Sequence, residues 1–171
     1  RRLQEAFQQY GLDTGFLRSR VIVIPGDLSV RQMGLSECQW EELGAKVDII
    51  LHAAANVNLM HTYEKLRSVA VYGTKNCLAL AISQRLKPFF LISSDAVFSA
   101  KTRMYCQSFL PDDSIMELGY GYAQSKWAQE KLLQLVAETY RLPFYLLRLG
   151  NLSPSLNNGI ANPQDGNGMF I

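Results

Sequence analysis

Tyr122 and Lys126 stand four residues apart, and together they are the side chains of this sequence best suited to moving a proton. On a helix this spacing places both side chains on one face. A neighbouring ammonium stabilises a phenolate, so we expect Lys126 to lower the pKa of Tyr122 from about 10. Tyr122 would then donate a proton to a carbonyl oxygen while a hydride arrives at the carbon. Tyr120 is the alternative tyrosine, but the residue four places after it is Gln124 rather than a lysine.

Two serines, Ser93 and Ser94, follow the apolar run that precedes the segment carrying this pair. The spacing of the pair also fits a solvent-exposed helix face, so its place in the fold decides its meaning. Ser94 ends an apolar run and could donate a hydrogen bond to the same carbonyl while holding Tyr122 in place. The alternative is a serine that satisfies backbone groups at the end of a strand. Ser93 is the second candidate for the catalytic role.

Four short apolar runs predict the strands that must position these side chains. Continuous apolar runs without a clean period of two suit strands buried on both faces of a parallel sheet. Helical periodicity lies between them, over residues 63–85, where Thr62 can cap the start, and over residues 121–139. This alternation predicts an α/β fold with a doubly wound, Rossmann-like parallel sheet and right-handed crossovers. The four runs are residues 21–24, 47–51, 88–92 and 143–147.

Small or polar residues follow every one of these runs, at the edge of the sheet where α/β proteins bind ligands. Asp27 could accept a hydrogen bond from an adenine amine while Leu28 covers the ring, although an aspartate in a turn is the simpler interpretation. The small side chains at 53–55 would let a cofactor approach the backbone, or would serve tight packing of a helix on a strand. The candidate cofactor contacts are Asp27, Leu28, His52, Ala53, Ala54, Ala55, Lys126, Leu149, Gly150 and Asn151.

The composition is that of an ordinary soluble domain. The chain has 171 residues, of which 48% are hydrophobic and 19% charged, enough for one domain with a real core. A net charge of +2 gives no reason to expect a nucleic-acid or acidic-membrane partner. No apolar run approaches the roughly 20 residues of a membrane span. Three scattered cysteines and two histidines predict neither disulfides nor a metal site, and they fit a reducing cytoplasm.

Taken together and in this order, these residues resemble the extended short-chain dehydrogenase/reductase family. Within it they are most similar to the thioester reductase domains that end nonribosomal peptide synthetases, polyketide synthases and carboxylic acid reductases. Two features favour these domains over sugar-nucleotide epimerases: the Ser-Lys-Trp sequence at 125–127, and the spacing between Gly-Leu-Ser at 34–36 and Trp40. The matching segments are residues 26–29, 34–36 with Trp40, 47–58, 63–67 with Gly73 and Thr74, 93–94, 122–127 with Glu130, and 148–151.

The resemblance implies an NADPH-dependent reduction that releases an acyl thioester from the phosphopantetheine arm of a carrier protein as an aldehyde or alcohol. It makes Ser94, Tyr122 and Lys126 the catalytic triad, with Lys126 also on the nicotinamide ribose. It places Asp27 and Leu28 at the adenine, residues 52–55 along the cofactor and residues 149–151 at the nicotinamide amide. Residues 1–155 would then form the central part of the Rossmann-like domain, and residues 156–171 would begin a substrate-side segment.

The sequence departs from the family pattern in three places. The family's glycine-rich phosphate loop is absent, so the pyrophosphate lacks its helix N-terminus. The chain opens at Arg1 without an initiating methionine, and we expect an interior piece of a longer multidomain chain that is inactive alone. Ala70 replaces the usual asparagine, and residues 151–154 replace a more glycine-rich turn. The alternatives are therefore a sugar-nucleotide epimerase or dehydratase, or a redox-inactive relative that binds a carrier protein or cofactor.

Overall fold

A parallel three-stranded sheet forms the centre of the structure. The computed structural model describes residues 1–98, 115–156 and 158–160. It contains two units: Gly26–Gly150, and Arg1–Pro25 with the residues from Asn151 onward. The strands are β1 (Ile50–His52), β2 (Phe89–Ser94) and β3 (Phe144–Leu149), and their order in the sheet follows the sequence. Three of the four predicted strands are therefore confirmed, and so is the parallel α/β class.

Six α-helices accompany the sheet in the part of the chain that the structure describes. Because neighbouring strands run parallel, each connection between them must cross over the sheet, and each of the two connections contains helix. The predicted helix over 121–139 is confirmed, whereas the predicted helix over 63–85 is two α-helices joined by a π-helical turn at Ser68–Tyr72. The helices are α1 (Arg2–Gln9), α2 (Leu17–Arg20), α3 (Glu37–Lys46), α4 (Tyr63–Arg67), α5 (Gly73–Ile82) and α6 (Gly121–Tyr140).

The apolar run at 21–24 is not a strand, so this prediction was wrong. A strand needs a neighbour for its backbone hydrogen bonds, and residues 21–24 pair with no strand among the described residues. Ile22 and Val23 are 89% and 77% exposed. The run has the composition of a buried strand but pairs with no strand among the described residues.

The sheet is packed on one face and open on the other. Leu91 of β2 is fully buried, while Leu51 of β1 and Tyr145 of β3 are 62% and 54% exposed. Side chains on one face of the sheet are therefore buried and those on the other are exposed. We expected strands buried on both faces, and among the described residues only one face is buried. The core on the packed face joins β2 to α5 and α6 and consists of Cys77, Leu78, Ala81, Phe89, Leu91, Leu133, Ala137 and Leu142.

A buried polar network ties β1 to α5 and α6. The Thr74 hydroxyl donates to the Ala70 carbonyl (2.7 Å) and accepts from the Gln129 amide (2.7 Å). His52 Nε2 lies 3.0 Å from the same hydroxyl. Since the Thr74 proton is already used, His52 must donate through Nε2, and its Nδ1 then faces the Cys77 thiol at 3.8 Å. Burial, helped by the positive charge of Lys126, lowers the pKa of His52 to about 4.

Shortening Leu133 should destabilise the protein much more than shortening Leu135 on the same helix. Leu133 is 1% exposed within the core, whereas Leu135 is 62% exposed. We expect Leu133→Ala to lower the free energy of unfolding by about 2–5 kcal/mol, because it leaves a cavity, and Leu135→Ala by less than about 1 kcal/mol. Urea denaturation measures both. Equal losses would contradict the packing described here.

Neutral His52 should make folding stability depend on pH. In the unfolded chain its pKa is about 6.5, so between about pH 6.5 and 4 only the unfolded state binds the proton. The stabilisation is complete above about pH 6.5 and is lost as the pH falls through 4. The difference between the pKa of His52 in the unfolded and in the folded state corresponds to about 3 kcal/mol in the free energy of unfolding. Urea unfolding at about pH 7 and about pH 4 should show a larger loss in the native protein than in His52→Gln; equal losses would refute this account of His52.

Candidate active site

Gly121 allows the first turn of α6 to lie directly against the start of α4. A Cβ atom on Gly121 would sit 2.5 Å from the His61 carbonyl oxygen and 2.5 Å from the Tyr63 nitrogen. Real Cβ atoms do not approach backbone so closely, so any other residue would push the helix away. The next residue along is Tyr122, whose position therefore depends on the glycine before it.

The structure brings Ser94, Tyr122 and Lys126 together at the carboxyl end of β2. Ser94 lies close enough to Tyr122 for its hydroxyl to lower the pKa of the phenol, and that hydroxyl donates to Asp95 Oδ1 at 3.1 Å. Lys126 Nζ lies 5.9 Å from the centre of the Tyr122 ring and donates to the Ile92 carbonyl oxygen at 2.9 Å. Ser94 Oγ also accepts from the Ala96 backbone at 3.2 Å, as a serine at a strand end commonly does. The simpler interpretation of Ser94, a serine that satisfies a backbone group at the end of a strand, therefore holds in this structure, and its catalytic role stays a prediction.

The pKa of Tyr122 is raised in this structure, so the expectation that Lys126 lowers it was wrong for the chain by itself. Burial is the largest cause, and the nearby Ser94 hydroxyl only partly offsets it. Burial also lowers the pKa of the Lys126 ammonium, which the Glu130 carboxylate counteracts. Desolvation is the largest cause for both groups, and Lys126 is not among the causes that shift the pKa of Tyr122. Tyr122 holds its proton at neutral pH, as a group that donates one must.

Ser93 does not share the site with Ser94, because successive strand residues face opposite ways. Ser93 is 3% exposed, and its hydroxyl donates to Glu130 Oε1 at 2.5 Å. Glu130 in turn forms a salt bridge of 2.8 Å with Arg148, and these two side chains are 0% and 6% exposed. Ser93 therefore belongs to a buried ionic cluster beneath the site. The sequence showed Glu130 and Arg148 as matching residues but gave no sign that they pair.

The residues after β1 and β3 leave space at the edge where Tyr122 lies. Ala53, Ala54 and Ala55 are exposed, and none has a side chain beyond Cβ. A Cβ atom on Gly150 would lie 3.3 Å from Asp95 Oδ2, so a larger residue there would crowd the turn after β2. An accessible backbone at this edge suits a flat ring, so the residues present fit the nicotinamide half of a dinucleotide, while the glycine-rich loop for its pyrophosphate is absent.

The Asp27 segment is a tight turn held by a residue that the sequence did not single out. Asp27 Oδ1 accepts from the Ser29 nitrogen and hydroxyl at 2.8 and 2.7 Å, and these bonds lower the pKa of the exposed carboxyl. Leu28 is half-buried against the helix core. Asn76 Nδ2 donates to the carbonyl oxygens of Leu28 and Val30 at 2.9 and 2.7 Å. Asn76 thus holds the turn in place. The sequence could not show this, because the residues that it binds lie more than 40 positions away.

The structure leaves the side chains of His52 and Asn151, two of the predicted cofactor contacts, away from this edge or outside this unit. The His52 imidazole is 4% exposed and points into the helices, so only its backbone is left to meet a cofactor. Leu149 ends β3 and is 39% exposed, but Asn151 belongs to the other unit.

Most of the long loop predicted over 98–119 lies outside the described residues. Within the described ranges, no helix is long and apolar enough to cross a membrane and no group of His, Cys, Asp and Glu could hold a metal ion.

Known proteins share both the sequence and the fold of this chain. The chain is 34% identical to the nonribosomal peptide synthetase asaC of Aspergillus flavus, over 96% of the chain and 17% of that protein. It is 33% identical to the L-2-aminoadipate reductase of Saccharomyces cerevisiae, over 96% of the chain and 13% of the reductase. The chain therefore spans less than a fifth of the length of these relatives.

Among solved structures, the terminal R domain of the myxalamid PKS-NRPS pathway superposes with a TM-score of 0.90 at 32% identity, over 96% of this chain and 41% of that one. A UDP-glucose 4-epimerase shares only the fold, with 17% identity and a TM-score of 0.66 over 91% of this chain and 44% of that one. The resemblance to synthetase reductase domains is thus confirmed. The model of one NAD-binding family matches residues 1–171, so this chain belongs to the family described as male sterility protein.

Proposed function

We propose that this chain is part of a reductase domain that uses NADPH to release a carrier-bound acyl thioester as an aldehyde. The observation that carries the proposal is the meeting of Ser94, Tyr122 and Lys126 at the carboxyl edge of a parallel sheet, in a chain of an NAD-binding family. Its similarity to the myxalamid R domain supports the reaction class.

In this reaction Tyr122 is the general acid. The nicotinamide, when bound, supplies the hydride that adds to the thioester carbonyl carbon. Tyr122 gives its proton to the carbonyl oxygen as negative charge develops there, and Ser94 donates a hydrogen bond to the same oxygen. The resulting hemithioacetal loses the carrier thiol and leaves the aldehyde. A second round of the same chemistry would yield the alcohol.

Lys126 acts through its charge and its fixed position. Lys126 as a residue is only 4% exposed, and its ammonium donates to the Ile92 carbonyl, so little water screens its charge from the Tyr122 phenol. Positive charge at this place favours the phenolate that proton donation leaves behind. Lys126 also has protons free to hold the nicotinamide ribose, because an ammonium has three donors.

The remaining predicted contacts would bind the rest of the cofactor. The backbone of residues 52–55, together with Leu149 and Gly150, would line the nicotinamide half. Asp27 and Leu28 would meet the adenine, and the Asp27 turn held by Asn76 is already rigid enough to offer a carboxylate in one place. NADPH rather than NADH is part of the proposal and follows from the family resemblance.

A carrier domain is the proposed partner. One solved relative, at 22% identity and a TM-score of 0.76, is a thiolation-reductase di-domain of an archaeal nonribosomal peptide synthetase, and it aligns over 99% of this chain and 36% of that one. A carrier in the same polypeptide would hold its phosphopantetheine arm at a high local concentration. No observation favours sugar-nucleotide chemistry beyond the shared fold.

The direct experiment offers the full-length protein an acyl-phosphopantetheinyl carrier and follows NADPH oxidation together with aldehyde formation. We expect both at equal rates, and we expect no conversion of a UDP-sugar with NAD. Turnover of the sugar without the thioester would establish the epimerase alternative. Cofactor binding without either reaction would establish a redox-inactive relative.

Replacing Tyr122 by phenylalanine should remove the general acid while keeping the ring. We expect Tyr122→Phe to lower kcat about 10²–10⁴-fold, the usual range for such a group. Tyr120→Phe is the matched control, because Tyr120 stacks on Tyr122 at 6.4 Å but has no lysine one turn later. Its kcat should stay within a few-fold of the native value. Comparable losses in both variants would contradict the assignment.

A further inference from the structure

Three consecutive residues at the end of β2 each contact a different residue of α6. Ile92 accepts from Lys126 through its carbonyl, Ser93 donates to Glu130, and Ser94 lies beside Tyr122, whose pKa its hydroxyl lowers. The three α6 residues are spaced four apart, so they form one stripe along the helix. The proposed catalytic pair is thus continuous with Glu130, the third residue of the stripe.

Two side chains hold the Glu130 carboxylate inside the protein, those of Ser93 and Arg148. Its residue is 1% exposed, Ser93 donates to Oε1, and the Arg148 guanidinium bonds to both carboxylate oxygens at 2.8–3.2 Å. The Arg148 guanidinium also lies 4.9 Å from the Phe98 ring centre. A carboxylate so firmly placed gives Lys126, one turn away, a fixed negative charge in a region that water does not screen.

We propose that Glu130 is a positioning residue for the reaction proposed above: its carboxylate, fixed by Arg148 and Ser93, keeps the Lys126 side chain charged and directed at the end of β2. Lys126 has no carboxylate of its own within hydrogen-bond reach in the described residues, and its only bond there is to a neutral carbonyl. Burial works against its charge, and Glu130 is the group that opposes burial. The cluster supports the site through electrostatics as well as packing.

Other charged and titratable groups also face this site, so their titrations must be followed in the same experiment. His52 on β1 feels the Lys126 charge, and Asp95 after β2 and Tyr120 before α6 act on Tyr122. None of these contacts Glu130, so substitutions at the cluster leave them in place. The groups whose titration must be followed are His52, Asp95, Tyr120, Tyr122 and Lys126.

The test measures the pKa of Lys126 in the full-length protein by NMR of ¹³C-labelled lysine, with the signal assigned by its loss in Lys126→Arg. Glu130→Gln removes a negative charge and should lower the pKa of Lys126 by about one unit. Arg148→Met removes a positive charge and should raise it. The double variant restores the charge balance and should return it close to the native value. Ser93→Ala, which keeps both charges, should leave it unchanged.

A purely structural role predicts another pattern: slower turnover in every variant, with the Lys126 pKa unmoved or moved in one direction throughout. That result would overturn the proposal. If Glu130→Gln fails to fold, as circular dichroism would show, the raised pKa of Lys126 in Arg148→Met and its return toward the native value in the double variant still decide the matter. The alkaline limit of kcat/KM should follow the same order. Opposed NMR shifts without thioester turnover would keep the role of Glu130 and refute the proposed reaction instead.

Discussion

Helix α6 carries a lysine and a glutamate below the protein surface, and it can do so because the sheet supplies a partner for each charge. Removing an ion from water is costly unless another group compensates, so the partners decide where the helix lies. Arg148 at the end of β3 meets Glu130, and the Ile92 carbonyl at the end of β2 meets Lys126. The chemistry proposed for Tyr122 depends on this placement.

Two close approaches complete the placement. Gly121 lets the start of α6 touch the backbone of α4, and the Thr74 hydroxyl joins β1 to both long helices. Neither feature touches a substrate in our account. Both hold α6, the helix that carries Tyr122, against its neighbours, and misplacement of a catalytic group by about 1 Å can cost an enzyme about 10²-fold in rate.

The sequence predicted the elements better than their surroundings. The strands β1 to β3 and helix α6 could be found because apolar composition and helical periodicity are local properties. The run at 21–24 has the same composition but no partner strand, and pairing is not local. The raised pKa of Tyr122 was missed for a similar reason, since the four-residue spacing shows the ammonium but not the burial. The Glu130–Arg148 pair and the Asn76 bonds join residues from different elements, which spacing cannot reveal.

The fold alone would not separate a reductase from a sugar-nucleotide epimerase, because the two share it. The claim therefore depends on where a substrate carbonyl sits. A crystal structure of the full-length protein with its cofactor and an unreactive thioester analogue tests this directly. Our account predicts the carbonyl oxygen within about 3.2 Å of both the Tyr122 hydroxyl and Ser94 Oγ. A carbonyl bound elsewhere, with Tyr122 facing solvent or protein alone, would contradict it.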